Sequence, residues 1–300
     1  MSRDQRKAIA SMLRRGPRQF EPQAVDRMRE DFARMMARFA VPPVRTTDTE
    51  LGGHPAVLVE PEREDAQRPG TILYFHGGSF SVGSPRTAMG LTAGLVTRTA
   101  FRALSLDYPL APEHPFPAAV DACLAAYRAL LDNGTDARSI AFAGDSAGGG
   151  LTVTTTLAAR TAGLPLPGAI VAFSPGLDHT RSGATMTTKA GVDPFLTPEG
   201  MAHTGQMYLA GQDPHQELLA PAVLADLTGF PPLLLQVGTD ELLLDDSVRL
   251  AERARDAEVD VILDVTAGVP HVFQSFAGQL DEADLALDRA ALFLTQHLTA

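Results

Sequence analysis

Several features that would identify a function are missing from this sequence. It has a single cysteine, Cys123, which excludes an internal disulfide framework and a cysteine-rich metal site. The formal net charge of −11 at pH 7 argues against nucleic acid or an anionic membrane as a partner, because both require a basic surface. No uninterrupted apolar run approaches the length of a transmembrane helix, so we expect no membrane insertion.

The N-terminal stretch also lacks the pattern of a secretion signal. In MSRDQRKAIASMLRR, only six residues separate the charged groups, fewer than the apolar part of a signal peptide requires. Cys123 lies in an alanine-rich helical pattern, which is typical of a buried and unreactive thiol. We therefore expect a cytoplasmic protein.

Short apolar runs alternate with helical stretches from residue 71 onward. With 45% hydrophobic and 20% charged residues, the chain can form a large core. The apolar runs are 71–75, 102–106, 139–143, 169–173, 233–237 and 261–265. This alternation predicts an α/β fold with a mostly parallel central sheet covered by helices on both faces. In such sheets reactive groups gather at the carboxyl ends of the strands.

Three segments lie outside this alternation. Residues 44–60 read as two extended segments around LGGHP, a predicted hairpin. Residues 21–40 carry apolar residues at helical spacing, and 177–232 is too long for a simple crossover and predicts an insertion. Seven methionines lie in or near the last two segments, at positions 12, 28, 35, 36, 186, 201 and 207. They predict either ordinary helix packing or a mobile cap whose thioethers adapt to apolar ligands.

Small residues surround Ser146 in AFAGDSAGGGLTV, directly after a predicted strand. The pattern GDSAG matches the G-x-S-x-G nucleophile elbow, in which bulky neighbours at Gly144 and Gly148 would clash. A glycine-rich helix start with Ser146 as an ordinary cap is the alternative. A phosphate-binding loop is disfavoured, because neither G-x-G-x-x-G nor a Walker lysine is present.

The stretch YFHGGSF follows the first parallel strand and suggests donors for an oxyanion. Consecutive glycines let backbone N–H groups point into a site without steric cost. We predict donors at Gly78 and Ser79, with Gly77 as a further candidate, and at Ala147. A plain turn is the alternative interpretation.

A serine nucleophile needs a base and an acid from later in the chain. His271 lies in a loop after strand 261–265 and is the predicted base, whereas His297 falls at a helix end. Asp240 follows strand 233–237 and is the predicted acid, and we expect its neighbour Glu241 to point elsewhere. No histidine pair has zinc spacing with a third ligand nearby, so we expect neither metal nor cofactor.

The chain resembles the bacterial hormone-sensitive lipase-like esterases, also called family IV of the α/β-hydrolases. The motifs that carry the resemblance are HGGSF (76–80), LDYPLAPEHPFPAA (106–119), GDSAGGGL (144–151), SPGLD (174–178), GTDELLLDD (238–246) and HVF (271–273). The resemblance implies Ser146 as nucleophile, Asp240 as acid and His271 as base. The chain departs from the family at Ser79, where a third glycine is usual, and at Gly176, where tryptophan is common.

The resemblance further implies a helical cap over an α/β-hydrolase core. The expected division is cap residues 1–45, core residues 46–176, a cap insertion at 177–215 and core residues 216–300. The substrate-pocket candidates are Phe80, Met35, Phe39, Met207 and Val272. Apolar helix faces leave room for a homodimer.

The expected function is that of a serine carboxylesterase acting on short- to medium-chain acyl esters, with a small-molecule ester as its substrate. A lactone hydrolase or an N-acetyl deacetylase could use the same three residues. A non-catalytic ligand receptor on this fold is disfavoured, because such a protein should have lost one of them.

Overall fold

A computed structural model describes residues 2–15 and 23–298 of the chain. Within these residues one sheet has the strand order β1-β2-β4-β3-β5-β6-β7-β8. The strands are β1 Val44–Leu51, β2 His54–Pro61, β3 Thr71–Phe75, β4 Arg102–Leu106, β5 Ile140–Asp145, β6 Ala169–Phe173, β7 Leu233–Gly238 and β8 Val261–Thr266. The first two form an antiparallel hairpin, β2 pairs antiparallel with β4, and the remaining pairs are parallel. The predicted mostly parallel sheet, its six apolar strands and the hairpin are confirmed.

Helices cover both faces of this sheet. Their bounds are α1 Ser2–Arg15, α2 Val25–Met36, α3 Met89–Thr99, α4 Ala118–Asp132, α5 Ala147–Thr161, α6 Thr185–Thr188, α7 Pro198–Leu209, α8 Pro221–Leu224, α9 Leu244–Asp256 and α10 Asp281–His297. The predicted helix over 21–40 corresponds to α2, although residues 21 and 22 lie outside the described part of the chain. Among the described residues, no helix combines the length and apolar character that a bilayer span requires.

The central strands consist mainly of apolar residues because both of their sides are buried. Every residue of β3, β5 and β6 is buried. One face packs against α4 and α5 and includes Cys123, which is fully buried as expected, and the other face packs against α3 and α10. Continuous apolar strands of this kind are typical of parallel sheets with helices on both faces. The loops after β3, β5, β7 and β8 therefore meet at one edge of the sheet.

The methionine-bearing segments pack against each other near that edge. Met28 and Phe32 of α2 share a buried cluster with Leu196 and with Leu242. The methionines packed against this cluster are Met35, Met36, Met186, Met201 and Met207. Helix α2 and the 177–232 segment thus form a common apolar layer. Burial of thioethers in such a layer agrees with the helix-packing interpretation of the methionine distribution.

Candidate active site

Ser146 lies in a tight turn between β5 and α5. Its backbone has φ 53° and ψ −117°, a strained conformation for a residue with a side chain. A Cβ at Gly144 would lie 2.5 Å from the carbonyl oxygen of Gly148, and a Cβ at Gly148 would lie 2.0 Å from that of Phe75. Only glycine fits at either position, so the small residues of GDSAG serve the turn geometry, as predicted.

The hydroxyl of Ser146 meets the imidazole of His271. The Ser146 Oγ–His271 Nε2 distance is 2.9 Å, and His271 Nδ1 lies 2.8 Å from Glu241 Oε2. Because a carboxylate can only accept, the proton of the neutral ring lies on Nδ1, and Nε2 is left to accept from the serine hydroxyl. Both the His271 and Glu241 side chains are buried. The three groups come from the loops after β5, β7 and β8.

The carboxylate that contacts His271 is that of Glu241, so the prediction of Asp240 is wrong. The Asp240 side chain is only half-buried and accepts a hydrogen bond from the Thr239 hydroxyl at 3.2 Å. Its N–H donates to Val269, which fixes the turn after β7. That turn directs the residue one position later toward the imidazole. The sequence shows two adjacent carboxylates, but it does not show which of them the turn directs toward His271.

Glu241 is itself held by groups that the sequence analysis did not assign. Its Oε1 accepts from the Ser174 hydroxyl at 2.9 Å and from the Gly238 N–H at 2.6 Å. The Ser174 oxygen in turn accepts from the N–H of Val272, the residue after His271. Ser174 thus ties the ends of β6 and β7 to the histidine loop. The only sequence signal for it is its place in the SPGLD motif.

The glycine loop after β3 lies beside Ser146. Within the described residues, the N–H groups of Gly78, Ser79 and Ala147 donate no hydrogen bond, and all three residues border the open space around Ser146. The N–H of Gly77 instead donates to Asp145 Oδ1 at 3.1 Å, so the prediction of Gly77 as a donor for a ligand is wrong. The Gly77 N–H serves to hold the loop against β5.

Asp145 anchors this loop from beneath. Its Oδ1 also accepts from the Tyr74 hydroxyl at 2.8 Å, which joins the ends of β3 and β5. Burial raises the pKa of Asp145 to about 6, although the hydrogen bonds from Tyr74 and Gly77 lower it. The carboxyl group therefore stabilises the loop that presents the free N–H groups.

Two cavities open on Ser146. The first we call the histidine-side cavity; it is lined by Leu13, Phe32, Met35, Met36, Phe39, Gly78, Asp145, Ser146, Phe195, His271, Val272, Ser275 and Phe276. The second we call the oxyanion-side cavity; it is lined by Ser79, Phe80, Ser146, Ala147, Gly176, Leu177, Asp178, His179, Arg181, Met201, Thr204, Gly205, Leu243 and Asp246. The first is largely apolar, whereas the second contains several charged and polar side chains.

Four of the five predicted pocket residues line one of these cavities. Met35, Phe39 and Val272 line the histidine-side cavity, and Phe80 lines the oxyanion-side cavity. Met207 lines neither of them and packs against the buried clusters beneath, so its place in a substrate pocket stays a prediction. Helical spacing alone could not separate a methionine in the apolar layer from one at its open surface.

Comparison with known proteins decides the family. Residues 72–275 match the model of a family described by its alpha/beta hydrolase fold. The chain belongs to this α/β-hydrolase family. It is 40% identical over 272 residues to an acetyl-hydrolase of Streptomyces hygroscopicus, covering 90% of this chain and 87% of that protein. It is 35% identical over 255 residues to an esterase of Acinetobacter venetianus, covering 85% and 83%.

Two solved structures resemble this α/β-hydrolase over almost its whole length. A crystal structure of an esterase from the bacterial hormone-sensitive lipase family superposes with a TM-score of 0.92 at 38% identity and covers 99% of each chain. A hormone-sensitive lipase from a metagenome library gives 0.93 at 37% identity, covering 100% of this chain and 99% of the other. The resemblance to this family that the sequence motifs indicated is confirmed.

In this α/β-hydrolase a loop of the 177–232 segment lies against the imidazole. The ring of Phe195 lies nearly parallel to that of His271, with centroids 6.2 Å apart. Asp193 holds the loop, because its carboxylate accepts from the N–H groups of Phe195 and Leu196, and also from that of Leu242 beside Glu241. Residues of the 177–232 segment thus form part of the surroundings of the candidate base.

The electrostatic environment favours a proton on His271. Burial lowers the pKa of the imidazole, but the hydrogen bond to Glu241 and the negative charges of Glu241, Asp193 and Asp145 together outweigh burial, so the pKa is raised above its usual value. A more basic imidazole accepts the serine proton more readily. The arrangement can therefore activate the Ser146 hydroxyl for attack on an electrophilic carbon.

Proposed function

We propose that this α/β-hydrolase is a serine carboxylesterase that acts through Ser146, His271 and Glu241. The observation that carries the proposal is the hydrogen-bonded chain from Ser146 Oγ through both ring nitrogens of His271 to Glu241. A serine hydroxyl is too weakly acidic to attack an ester unaided, and an imidazole oriented by a carboxylate supplies the missing base. The esterase and acetyl-hydrolase names of its relatives support ester hydrolysis.

In the acylation step Ser146 Oγ attacks the ester carbonyl while His271 Nε2 takes the hydroxyl proton. The carbonyl oxygen becomes negative, and the free N–H groups of Gly78, Ser79 and Ala147 are the donors available to stabilise it. Glu241 stabilises the imidazolium that forms. Nε2 then gives its proton to the leaving alkoxide, and the alcohol departs from the acyl-enzyme.

Deacylation repeats these events with water in place of the alcohol. His271 takes a proton from water, the resulting hydroxide attacks the acyl carbon, and the proton returns to Ser146 Oγ as the acid leaves. In both half-reactions His271 Nε2 takes one proton from the attacking hydroxyl group and gives it to the leaving oxygen, so the protons balance. The residues present suffice for this sequence.

We further propose that residues 2–15, 23–45 and 177–215 form a cap over this site. Leu13 of α1, Met35 of α2 and Phe195 of the insertion all line the histidine-side cavity. Their apolar side chains exclude water and favour small hydrophobic esters. The limited space on either side of Ser146 supports small esters with short- to medium-chain acyl groups as the substrate class.

Replacement of the nucleophile tests the proposal. Ser146→Ala should abolish turnover of 4-nitrophenyl acetate and butanoate to within the uncatalysed rate, while thermal unfolding stays cooperative. Retention of turnover in a folded Ser146→Ala variant would refute the proposal.

A second candidate activity is hydrolysis of an acetyl group from nitrogen. The acetyl-hydrolase name of the 40% identical relative fits removal of an acetyl group from either oxygen or nitrogen, and the same three residues could perform both reactions. Parallel assays of an acetate ester, a lactone and an N-acetyl amine separate the possibilities. We expect the ester to give the highest kcat/KM, and a higher value for the amide or lactone would assign the alternative.

A further inference from the structure

The positions of His271 and of the free N–H groups indicate which of the two cavities takes the alcohol and which takes the acyl chain of an ester. This step rests on the proposed function. The leaving oxygen must lie where His271 Nε2 can protonate it, so the alcohol occupies the histidine-side cavity. The acyl chain then extends on the opposite side, into the cavity bordered by Ser79 and Ala147. The oxyanion-side cavity therefore selects the acyl group.

The oxyanion-side cavity is lined by polar groups that an unsubstituted alkyl chain does not require. Arg181, His179 and Thr204 line it together with the carboxyl-bearing residues Asp178 and Asp246. The histidine-side cavity, in contrast, is lined chiefly by apolar side chains. Because the cost of desolvating a charged group must be offset, an arginine in a substrate cavity suggests an anionic ligand.

The guanidinium of Arg181 has most of its hydrogen-bonding capacity free. It donates from Nη2 to the Met201 carbonyl, and within the described residues it has no carboxylate oxygen within the 4.0 Å of an ion pair. A guanidinium carries five N–H donors in a fork that matches a carboxylate. Gly205 leaves space for this group, because a Cβ there would lie 2.7 Å from Arg181 Nη2.

The acidic neighbours of Arg181 are engaged elsewhere. Asp178 pairs with Arg249 at 2.9 Å and also accepts from the hydroxyl of Ser182 at 2.7 Å. Asp246 Oδ2 accepts from the N–H groups of Leu177 and Asp178, and burial raises the Asp246 pKa to about 7. Neither carboxyl group accepts a hydrogen bond from Arg181 within the described residues, although the negative charges of both raise the pKa of its guanidinium, which burial lowers.

His179 adds a neutral polar group beside the arginine. Its ring packs against Phe80 at 5.6 Å and against Tyr208 at 5.2 Å between centroids. Burial and the positive charge of Arg181 together lower the pKa of His179 to about 3. An uncharged imidazole can donate or accept one hydrogen bond without adding charge to the cavity.

We propose that Arg181 binds a carboxylate at the far end of the acyl chain. The preferred substrates are then monoesters of dicarboxylic acids, with an apolar alcohol in the histidine-side cavity and the free carboxylate at Arg181. Hydrolysis of such an ester releases the alcohol and a dicarboxylate. Arg181 is a specificity residue in this assignment and takes no part in the bond-breaking steps.

A matched substrate series tests the proposal. Each set has one alcohol and one chain length and varies only the group at the far end of the acyl chain. Monobenzyl succinate, glutarate and adipate end in a carboxylate, and their benzyl ester monoamides end in an amide. Benzyl butanoate, pentanoate and hexanoate end in a methyl group. Benzyl alcohol release gives kcat/KM. For at least one chain length the carboxylate ester should exceed both counterparts by about tenfold or more, as a charged hydrogen bond implies.

Arginine variants locate the effect. Arg181→Gln should lower kcat/KM roughly 10- to 100-fold for the carboxylate ester and leave the methyl-terminated ester unchanged. Arg181→Lys should retain part of the preference, since it keeps the charge but not the fork. Arg138→Gln is the matched control, because Arg138 is exposed, pairs with Asp136 and lines neither cavity.

Every outcome of this series bears on the assignment. No preference for the carboxylate over the methyl and amide termini in the wild-type protein would overturn it, even if Arg181→Gln fails to fold. A preference that survives in a folded Arg181→Gln variant would also overturn it. Failure of the proposed function gives a different result: no ester of any terminus is hydrolysed faster by the wild-type protein than by Ser146→Ala.

Discussion

The adjacent carboxylates Asp240 and Glu241 allow a sharp test, because the structure assigns the contact with His271 to only one of them. In Glu241→Gln the amide oxygen should occupy the Oε1 position, where the Ser174 hydroxyl and the Gly238 N–H both donate. The amide NH₂ then faces His271 Nδ1, which must accept instead of donate. The ring proton moves to Nε2, and the base that should accept the serine proton is blocked.

The expected loss follows from this tautomer change. The same exchange of acid for amide in a chymotrypsin-like triad lowers kcat by about 10⁴-fold. We expect a loss of roughly 10²- to 10⁴-fold here, which corresponds to about 3 to 5.5 kcal/mol of transition-state stabilisation. Asp240→Asn is the matched control and should stay within about threefold of wild-type kcat/KM, since the half-buried Asp240 side chain does not touch His271.

The assay is the initial rate of 4-nitrophenyl butanoate hydrolysis by both variants over a range of substrate concentrations. Cooperative thermal unfolding of each variant shows that it is folded. A larger loss in Asp240→Asn than in Glu241→Gln would refute the assignment of the acid and the account of how the turn after β7 is built.

Three further predictions follow from the same geometry. Because the pKa of His271 is raised and catalysis needs the neutral ring, kcat/KM should rise with pH through a midpoint above ~6.5, and a midpoint below that value would contradict the sign of the shift. A Cβ at Gly176 would meet only Leu243, at 3.8 Å, so Gly176→Trp should fold. The indole should lower the ratio of kcat/KM for a butanoyl ester to that for an acetyl ester by about tenfold or more. An unchanged ratio would show that Gly176 does not affect the choice of acyl group. Gly148→Ala should lower the free energy of unfolding by about 1–3 kcal/mol or more in urea titrations, whereas Gly176→Ala, the control, should cause little change.

The sequence predicted the parts of the fold that depend on local pattern. Apart from Thr71, strand β3 is apolar because both of its sides are buried, so TILYF could be recognised without knowledge of its neighbours. Ser146 could be recognised because its turn demands glycine at 144 and 148, which is a steric requirement visible in the letters GDSAG.

Other site features depend on contacts between distant segments and could not be predicted from the sequence. The selection of Glu241 over Asp240 depends on Ser174 of the β6 loop and on the hydrogen bond from Asp240 N–H to Val269. The engagement of the Gly77 N–H depends on the position of the Asp145 side chain. In the sequence nothing distinguishes Arg181 from an ordinary surface arginine. Only the fold shows that it lines a cavity beside Ser146.

The central claim is that Ser146 is the nucleophile, and covalent labelling tests it most directly. A fluorophosphonate ester should react with the native protein at one site, and peptide mass spectrometry should place the phosphonyl group on Ser146. Glu241→Gln should react much more slowly, and Ser146→Ala should not react. Labelling at another residue, or no labelling of a folded and soluble wild-type protein, would contradict the account.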